Sequence, residues 1–196
     1  MILRPGSGCP PMAMPLRQLL AGLVDPGVAA SCSVTDLQLD SRSIRPGALF
    51  VALNGRHAHG LRFARQAIDR GCAAILYDPA GAGSLADAVA GERPVIALEN
   101  LAKHLGGIAD AYFGHPSADM AVIGITGTNG KTSCSHFLAE ALGAWQKAGV
   151  VGTLGWGLPG ALRETSHTTM DAIETQRVLA AMGAEGLRVD AMEASS

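Results

Sequence analysis

A short apolar run that leads into a glycine-rich loop constrains the fold of this chain more than any other feature. Residues 120–125 are Met-Ala-Val-Ile-Gly-Ile, and residues 127–132 are Gly-Thr-Asn-Gly-Lys-Thr. An apolar run of this length suits a buried strand, glycine permits the turn that follows, and residues 132–147 have the spacing of a helix. The order of strand, loop and helix predicts an α/β fold built on a parallel sheet.

The loop and the start of the helix have the chemistry of a phosphate-binding site. Backbone N–H groups of such a loop converge on an anion, and the helix N-terminus adds the positive end of its dipole. The loop departs from the common pattern, because Ile125 stands where the first glycine is usual. A glycine-rich turn can also precede a helix by chance, but the strand before it and the helix after it favour a nucleoside triphosphate, most simply ATP. The candidate ATP-binding residues are Gly127, Thr128, Asn129, Gly130, Lys131, Thr132 and Ser133.

Two of these residues, together with an acid further along the chain, are candidates for catalysis and for binding Mg²⁺. Lys131 would place a positive charge on the outer phosphates and is the candidate catalytic residue. The Thr132 hydroxyl would ligate Mg²⁺. Glu193 follows the apolar residues 187–192, and an acid at the end of a neighbouring parallel strand can reach the same ion. The alternative is that Glu193 binds no metal ion and is simply a solvent-exposed residue at the end of a strand.

Strands and helices alternate along the chain, which predicts two successive α/β domains. We predict a flexible tail at 1–15, a small N-terminal domain at 16–100, a linker helix and turn at 101–118, and a parallel-sheet domain at 119–196. Helices are predicted at 16–24, 63–70, 101–112, 132–147 and 171–182. Strands are predicted at 34–39, 48–53, 73–77, 94–98, 120–125 and 187–192, and another strand is predicted to start at residue 150. Only about three strands follow residue 118, so we expect later residues to complete this incomplete sheet.

Several side chains carry more specific expectations. The helix after the loop should bury one apolar face that consists of Phe137, Leu138, Ala141, Leu142 and Trp145. Trp156, between two glycines, should lie in a loop. The loop histidines His57 and His59 are expected to be exposed.

Composition excludes several classes of protein. The formal net charge is −2 and no basic cluster is visible, which argues against a nucleic-acid partner. The 4 cysteines include no CxxC pair, which argues against a zinc site and favours free thiols in a reducing cytosol. No apolar run is long enough to span a membrane, and the N-terminus is a poor signal peptide. These features predict a cytoplasmic location, and we expect the chain to be a monomer.

Six segments of the chain have the sequence of recognisable motifs: 39–42 (Leu-Asp-Ser-Arg), 46–55 (Pro-Gly-Ala-Leu-Phe-Val-Ala-Leu-Asn-Gly), 67–74, 124–132, 167–172 (His-Thr-Thr-Met-Asp-Ala) and 191–196 (Ala-Met-Glu-Ala-Ser-Ser). With these segments the chain resembles the Mur ligases of peptidoglycan synthesis. The similarity extends from about residue 16 to the end and includes the ATP loop. Three positions differ from the residues common in the family, with His167 in place of Asn, Met170 in place of Pro and Ala194 in place of Val.

The resemblance implies a UDP-sugar site in the N-terminal domain and a muramoyl-peptide site in the second domain. By motif match, Leu39 and Ser41 would contact the nucleotide of UDP-MurNAc-peptide, and Arg56, His57 and Ala58 would line the same site. The peptide part would contact His167, Thr168, Thr169 and Ser195.

The resemblance also implies an ATP-driven ligation. A substrate carboxylate attacks the γ-phosphate to give an acyl phosphate, and an amine then displaces phosphate to form an amide. The segment 168–172 with Gln176 favours the family member that adds the third amino acid, diaminopimelate or lysine, to UDP-MurNAc-L-Ala-D-Glu. The alternatives are the D-Ala-D-Ala-adding relative and a non-catalytic nucleotide-binding module. The family's carbamylated lysine and C-terminal domain would lie beyond residue 196, so we expect no ligation by this chain alone.

Overall fold

The computed structural model describes residues 13–164 and 170–194, and these form two compact α/β units. The first unit ends at Tyr112, and the second begins at Phe113. The α/β class predicted from the sequence is confirmed in both units. Most of the predicted tail, and the segments 165–169 and 195–196, lie outside the described residues.

The first unit is built on a four-stranded parallel sheet with the strand order β3-β4-β5-β6 and a separate antiparallel pair β1-β2. Its strands are Met14–Pro15 (β1), Ser33–Val34 (β2), Asp36–Gln38 (β3), Ala48–Ala52 (β4), Ala74–Tyr77 (β5) and Val95–Ala97 (β6). Its α-helices are Leu16–Leu19 (α1), Ala64–Asp69 (α2) and Leu101–Tyr112 (α3), and its 3₁₀ helices are Gly27–Ala29, Ser41–Ser43, Gly60–Phe63, Gly83–Leu85 and Asp87–Val89.

The sheet of the first unit has a fully buried central strand. Every residue of β4 is buried, as its continuous apolar run predicts. Phe50 and Ile75 pack with Ala64 and Ala67 of α2 in one apolar cluster. Helix α3 spans the residues predicted for it and has a buried stripe of Leu101, Leu105, Ile108, Ala109 and Tyr112.

Two elements of the first unit are shorter than the sequence predicts. The helix expected at 16–24 is a single turn, α1, because the backbone leaves the helical region near Leu20 and Gly22 has φ +77°. The strand expected at 34–39 is divided into β2 and β3, and between them Thr35 N–H donates to the Gly47 carbonyl. The separation into domains at 16–100 and 119–196 with a linker remains a prediction.

The second unit has a five-stranded sheet with the order β10-β9-β8-β11-β7. Strands β7, β11 and β8 are parallel, and β9 and β10 are antiparallel. The strands are Ala121–Ile125 (β7), Ala148–Gly152 (β8), Gly155–Leu158 (β9), Ala161–Arg163 (β10) and Val189–Glu193 (β11), and the α-helices are Lys131–Gly143 (α4) and Ala172–Ala184 (α5). A 3₁₀ helix, Pro116–Asp119, precedes β7.

The expectation of about three strands after residue 118 is wrong, because β9 and β10 were missed. Both strands are short, and β9 contains two glycines, so no apolar run or sustained alternation marks them in the sequence. Trp156 consequently lies in β9 rather than in a loop, and the Arg163 guanidinium of β10 lies 4.8 Å from its ring centroid.

Burial in the second unit also departs from the sequence pattern. Strand β7 was expected to be buried, but Ala121, Val122 and Gly124 are exposed, since in the described part of the chain β7 pairs only with β11. On α4, Phe137 is 69% exposed, and Trp145, beyond the helix end, is 82% exposed. The side of α4 that meets the sheet carries Leu138 and Leu142 of the predicted face, together with Ala139, which was not predicted to be part of it.

Within residues 13–164 and 170–194, every helix is too short or too polar to cross a membrane.

Candidate functional site

The glycine loop connects β7 to α4 in the second unit. Gly127 has φ +146° and Gly130 has φ +78°, which are conformations that side-chain-bearing residues rarely adopt. No atom lies within 4 Å of a Cβ built on Gly130, so its backbone conformation, not its packing, demands glycine there. Gly130 is also the N-cap of α4 and provides no side-chain hydrogen bond. The N–H groups of the first helical turn are therefore available to an anion.

Lys131 folds back over this loop. Its Nζ donates a hydrogen bond to the Gly127 carbonyl at 2.7 Å, so the positive charge lies at the mouth of the loop. The rest of the turn is held by ordinary helical contacts, in which Cys134 N–H donates to Gly130 O at 2.9 Å and Ser135 Oγ donates to Thr132 O at 2.9 Å. The seven candidate ATP-binding residues thus occupy the loop and the first turn of α4. A backbone carbonyl is a weak partner for an ammonium, so a phosphate oxygen could replace it.

Glu193 lies beside the end of β7, the strand that leads into the loop. It pairs in register with Ile125, the last residue of β7, and Ala194 N–H donates to Ile125 O at 2.9 Å. Glu193 and the loop that leads to Thr132 therefore share the carboxyl edge of the sheet. The Glu193 carboxylate accepts a hydrogen bond from Thr153 Oγ at 3.1 Å. Thr153 was not singled out from the sequence, because only the pairing of β8 with β11 brings it to Glu193.

A carboxylate and a hydroxyl at one sheet edge have the oxygen chemistry that Mg²⁺ requires. The described residues contain no group of three or more His, Cys, Asp and Glu side chains that could enclose a metal ion. Mg²⁺ commonly keeps several water ligands and is held by one or two carboxylates plus substrate phosphates. The residues present fit that mode of binding, with Glu193 and Thr132 as the candidate ligands.

The candidate UDP-sugar residues of the first unit lie at the carboxyl edge of its sheet. Leu39 follows β3 and the loop with Arg56, His57 and Ala58 follows β4, and these two strands are parallel neighbours. Arg56 and His57 are exposed, whereas Ser41 is buried and its hydroxyl donates to Gln66 Oε1 on α2 at 2.6 Å.

His59 is buried, so the expectation that it is exposed is wrong. Its Nε2 lies 2.8 Å from the Asp78 carbonyl, and its Nδ1 accepts the Leu61 N–H at 3.1 Å. Because Nδ1 accepts a hydrogen bond, the ring hydrogen that Nε2 carries can be donated to the Asp78 carbonyl. His59 therefore links the loop after β4 to the end of β5 and shapes the edge at which Arg56 and His57 are exposed.

The four residues expected to contact the muramoyl peptide, His167, Thr168, Thr169 and Ser195, lie outside the described residues. In the sequence, helix α5 follows the first three of these residues. Asp171 caps α5 by accepting the N–H groups of Ile173 and Glu174 at 2.8 and 2.9 Å.

Comparisons with known proteins identify both units. Residues 33–113 match the Mur ligase family, catalytic domain, and residues 125–196 match the Mur ligase middle domain. The UDP-N-acetylmuramoyl-L-alanyl-D-glutamate–2,6-diaminopimelate ligase of Coxiella burnetii is 42% identical over 170 residues, which are 86% of this chain and 34% of that protein. The protein of the same name from Alkalilimnicola ehrlichii is 44% identical over 189 residues, which are 93% of this chain and 38% of that protein.

A solved structure of a ligase with this name has the same fold. Its TM-score is 0.74 at 25% identity, and the match covers 94% of this chain and 36% of that one. This chain therefore spans little more than a third of the proteins it matches. Two Mur ligase domains follow one another along it and relatives 42% and 44% identical cover most of its length, so the chain belongs to the Mur ligase family.

Proposed function

We propose that this chain provides the UDP-sugar and ATP sites of a ligase that adds diaminopimelate, as third amino acid, to UDP-MurNAc-L-Ala-D-Glu. The first unit would hold the UDP-sugar along Leu39, Ser41 and residues 56–58. The second unit would hold Mg-ATP. The names of the relatives support diaminopimelate over lysine and over the D-Ala-D-Ala-adding reaction.

The observation that carries the ATP site is the position of the Lys131 ammonium over the loop, 2.7 Å from Gly127 O, at an uncapped helix N-terminus. In the proposed reaction the substrate carboxylate attacks the γ-phosphate, ADP leaves, and the amine then attacks the acyl phosphate with release of phosphate. Lys131 and the N–H groups of α4 would stabilise the charge on the transferring phosphoryl group. Mg²⁺, when bound, would neutralise phosphate charge from the side of Thr132 and Glu193.

Calorimetric binding to the 196-residue chain tests this proposal. We expect Mg-ATP and UDP-MurNAc-L-Ala-D-Glu each to bind. Lys131→Met should weaken ATP binding about ten- to a hundredfold, since it removes a charged donor, and should leave UDP-sugar binding unchanged. Lys103→Met, at an exposed lysine of α3, is the matched control.

Two results would contradict the proposal. If Lys131→Met leaves the affinity for ATP unchanged, the glycine loop is not the ATP site. ATP binding without any affinity for the UDP-sugar would point to a nucleotide-binding module of another kind.

A further inference from the structure

We propose that Thr153, together with Gly152, positions the Glu193 carboxylate for the cation of the ATP site. This inference rests on the proposed function. Thr153 touches neither nucleotide nor metal in this proposal, so it is a positioning residue and acts through Glu193.

Two independent contacts hold the Glu193 side chain. Thr153 Oγ donates to Glu193 Oε2 at 3.1 Å. On the other side, a Cβ built on Gly152 would overlap Oε1 and the carboxyl carbon of Glu193. The carboxylate therefore occupies the space that a side chain at position 152 would take, with one oxygen bound to a hydroxyl. A carboxylate restrained in this way loses less freedom when it binds a cation.

The backbone around these two residues is restrained by strand pairing. Gly152 pairs with Gly155 across β8 and β9, so Thr153 and Leu154 form a two-residue turn between the strands. On its other side β8 pairs with β11 up to Val151 and Met192, one residue before Gly152 and Glu193. The turn therefore delivers the Thr153 hydroxyl to the end of β11, which is the edge that Glu193 shares with the glycine loop.

Other roles account less well for this arrangement. The hydrogen bond is solvent-exposed, so it adds little to folding stability. Gly152 has no positive φ that would require glycine for backbone reasons, unlike Gly155 with φ +128°. A Cβ at position 152 would instead displace the Glu193 carboxylate from the place it occupies. The pair of contacts is thus best explained by the placement of that carboxylate.

The experiment measures ATP affinity of the full chain by calorimetry, once with Mg²⁺ and once with EDTA. The ratio of the two affinities reports the contribution of the cation. We expect Thr153→Val to lower this ratio about two- to tenfold, as the loss of one hydrogen bond to a charged acceptor implies, without changing the affinity in EDTA. Thr153→Ser should keep the ratio, and Gly152→Ala should lower it. Thr35→Val, which removes an exposed hydroxyl from the first unit, is the control.

A double-mutant cycle separates positioning from a general structural effect. In a Glu193→Gln background, Thr153→Val should have no further effect on the ratio. The inference is overturned if the wild-type chain shows a Mg²⁺-dependent affinity that Thr153→Val leaves intact, or if this variant weakens binding equally with and without Mg²⁺. If the wild-type chain does not bind ATP at all, the proposed function is refuted, and this inference is refuted with it.

Discussion

Replacing Asp190 with asparagine should stabilise the second unit, and the gain should increase with pH. Asp190 lies in the middle of β11, between β8 and β7, and is completely buried. Among the described residues, neither of its carboxylate oxygens has a hydrogen-bond partner. Its register partner Gly149 lies against the apolar side chains of Met182 and Leu187 and against the Gly157 carbonyl. Burial raises the pKa of Asp190 from 3.8 to about 7.

The magnitude follows from the difference between the two pKa values. Each pKa unit corresponds to about 1.4 kcal/mol, so a shift from 3.8 to about 7 lowers stability by about 4 kcal/mol at most when the group is ionised. Between these values the folded state retains a proton that the unfolded state has lost. Stability therefore falls as the pH rises from about 4 to about 7, and the full penalty applies above that range. Asparagine has a similar shape but cannot ionise, so the variant avoids this penalty.

Urea unfolding followed by tryptophan fluorescence measures the effect in the relevant unit. The chain has 2 tryptophans, Trp145 and Trp156, and both lie in the second unit with Asp190. The free energy of unfolding of Asp190→Asn should exceed that of the wild type by an amount that increases between pH 5 and pH 8. Asp119→Asn, at an exposed carboxylate, controls for the change in net charge. A difference that stays constant across this pH range would refute the reasoning.

Three further substitutions or labelling experiments have defined outcomes. Asp171→Ala removes the acceptor for two N–H groups of α5 and should lower stability by about 1 kcal/mol in the same urea titration, whereas an unchanged midpoint would contradict the capping role. Gly130→Ala places a side chain at φ +78° and should cost about 1–2 kcal/mol while weakening ATP binding; equal affinity would mean that the loop tolerates another backbone conformation. The exposed Cys134 thiol in the first turn of α4 should react with iodoacetamide more slowly when Mg-ATP is bound. Cys72 is the control and should stay unreactive, because it is buried and burial raises the pKa of its thiol. If Mg-ATP does not slow the labelling of Cys134, the nucleotide does not bind at this turn.

Sequence reasoning succeeded where neighbouring residues control the structure. Helix α3 spans Leu101–Tyr112 as predicted, because its apolar spacing continues over three turns and its buried face follows that spacing. Strand β4 is buried along its whole length because five consecutive apolar residues leave it no polar face. The glycine loop lies between a strand and a helix, where the order of residues placed it. The roles of its side chains in binding ATP remain predictions.

Sequence reasoning failed where partners are distant in the chain. The exposed Phe137 and Val122 are as apolar as core residues, and only the packing of α4 and the edge position of β7 expose them. Asp78 directly follows the apolar strand β5, and Asp190 lies within β11 after Val189. Both side chains are buried. However, the Asp78 carboxylate accepts the Ala80 and Leu101 N–H groups, whereas Asp190 has no partner among the described residues. Sequence pattern does not distinguish these two cases.

The sequence by itself determined the strand, loop and helix around Lys131 and the family to which the chain belongs. These depend on consecutive residues, since an apolar run forms the strand, glycines allow the turn, and Lys131 reaches a carbonyl only four positions away. Only the tertiary structure decided that Asp190 loses its contact with water and that Glu193 is held by Thr153, 40 positions distant. Burial and hydrogen bonding of this kind arise when strands that are far apart in sequence pair side by side.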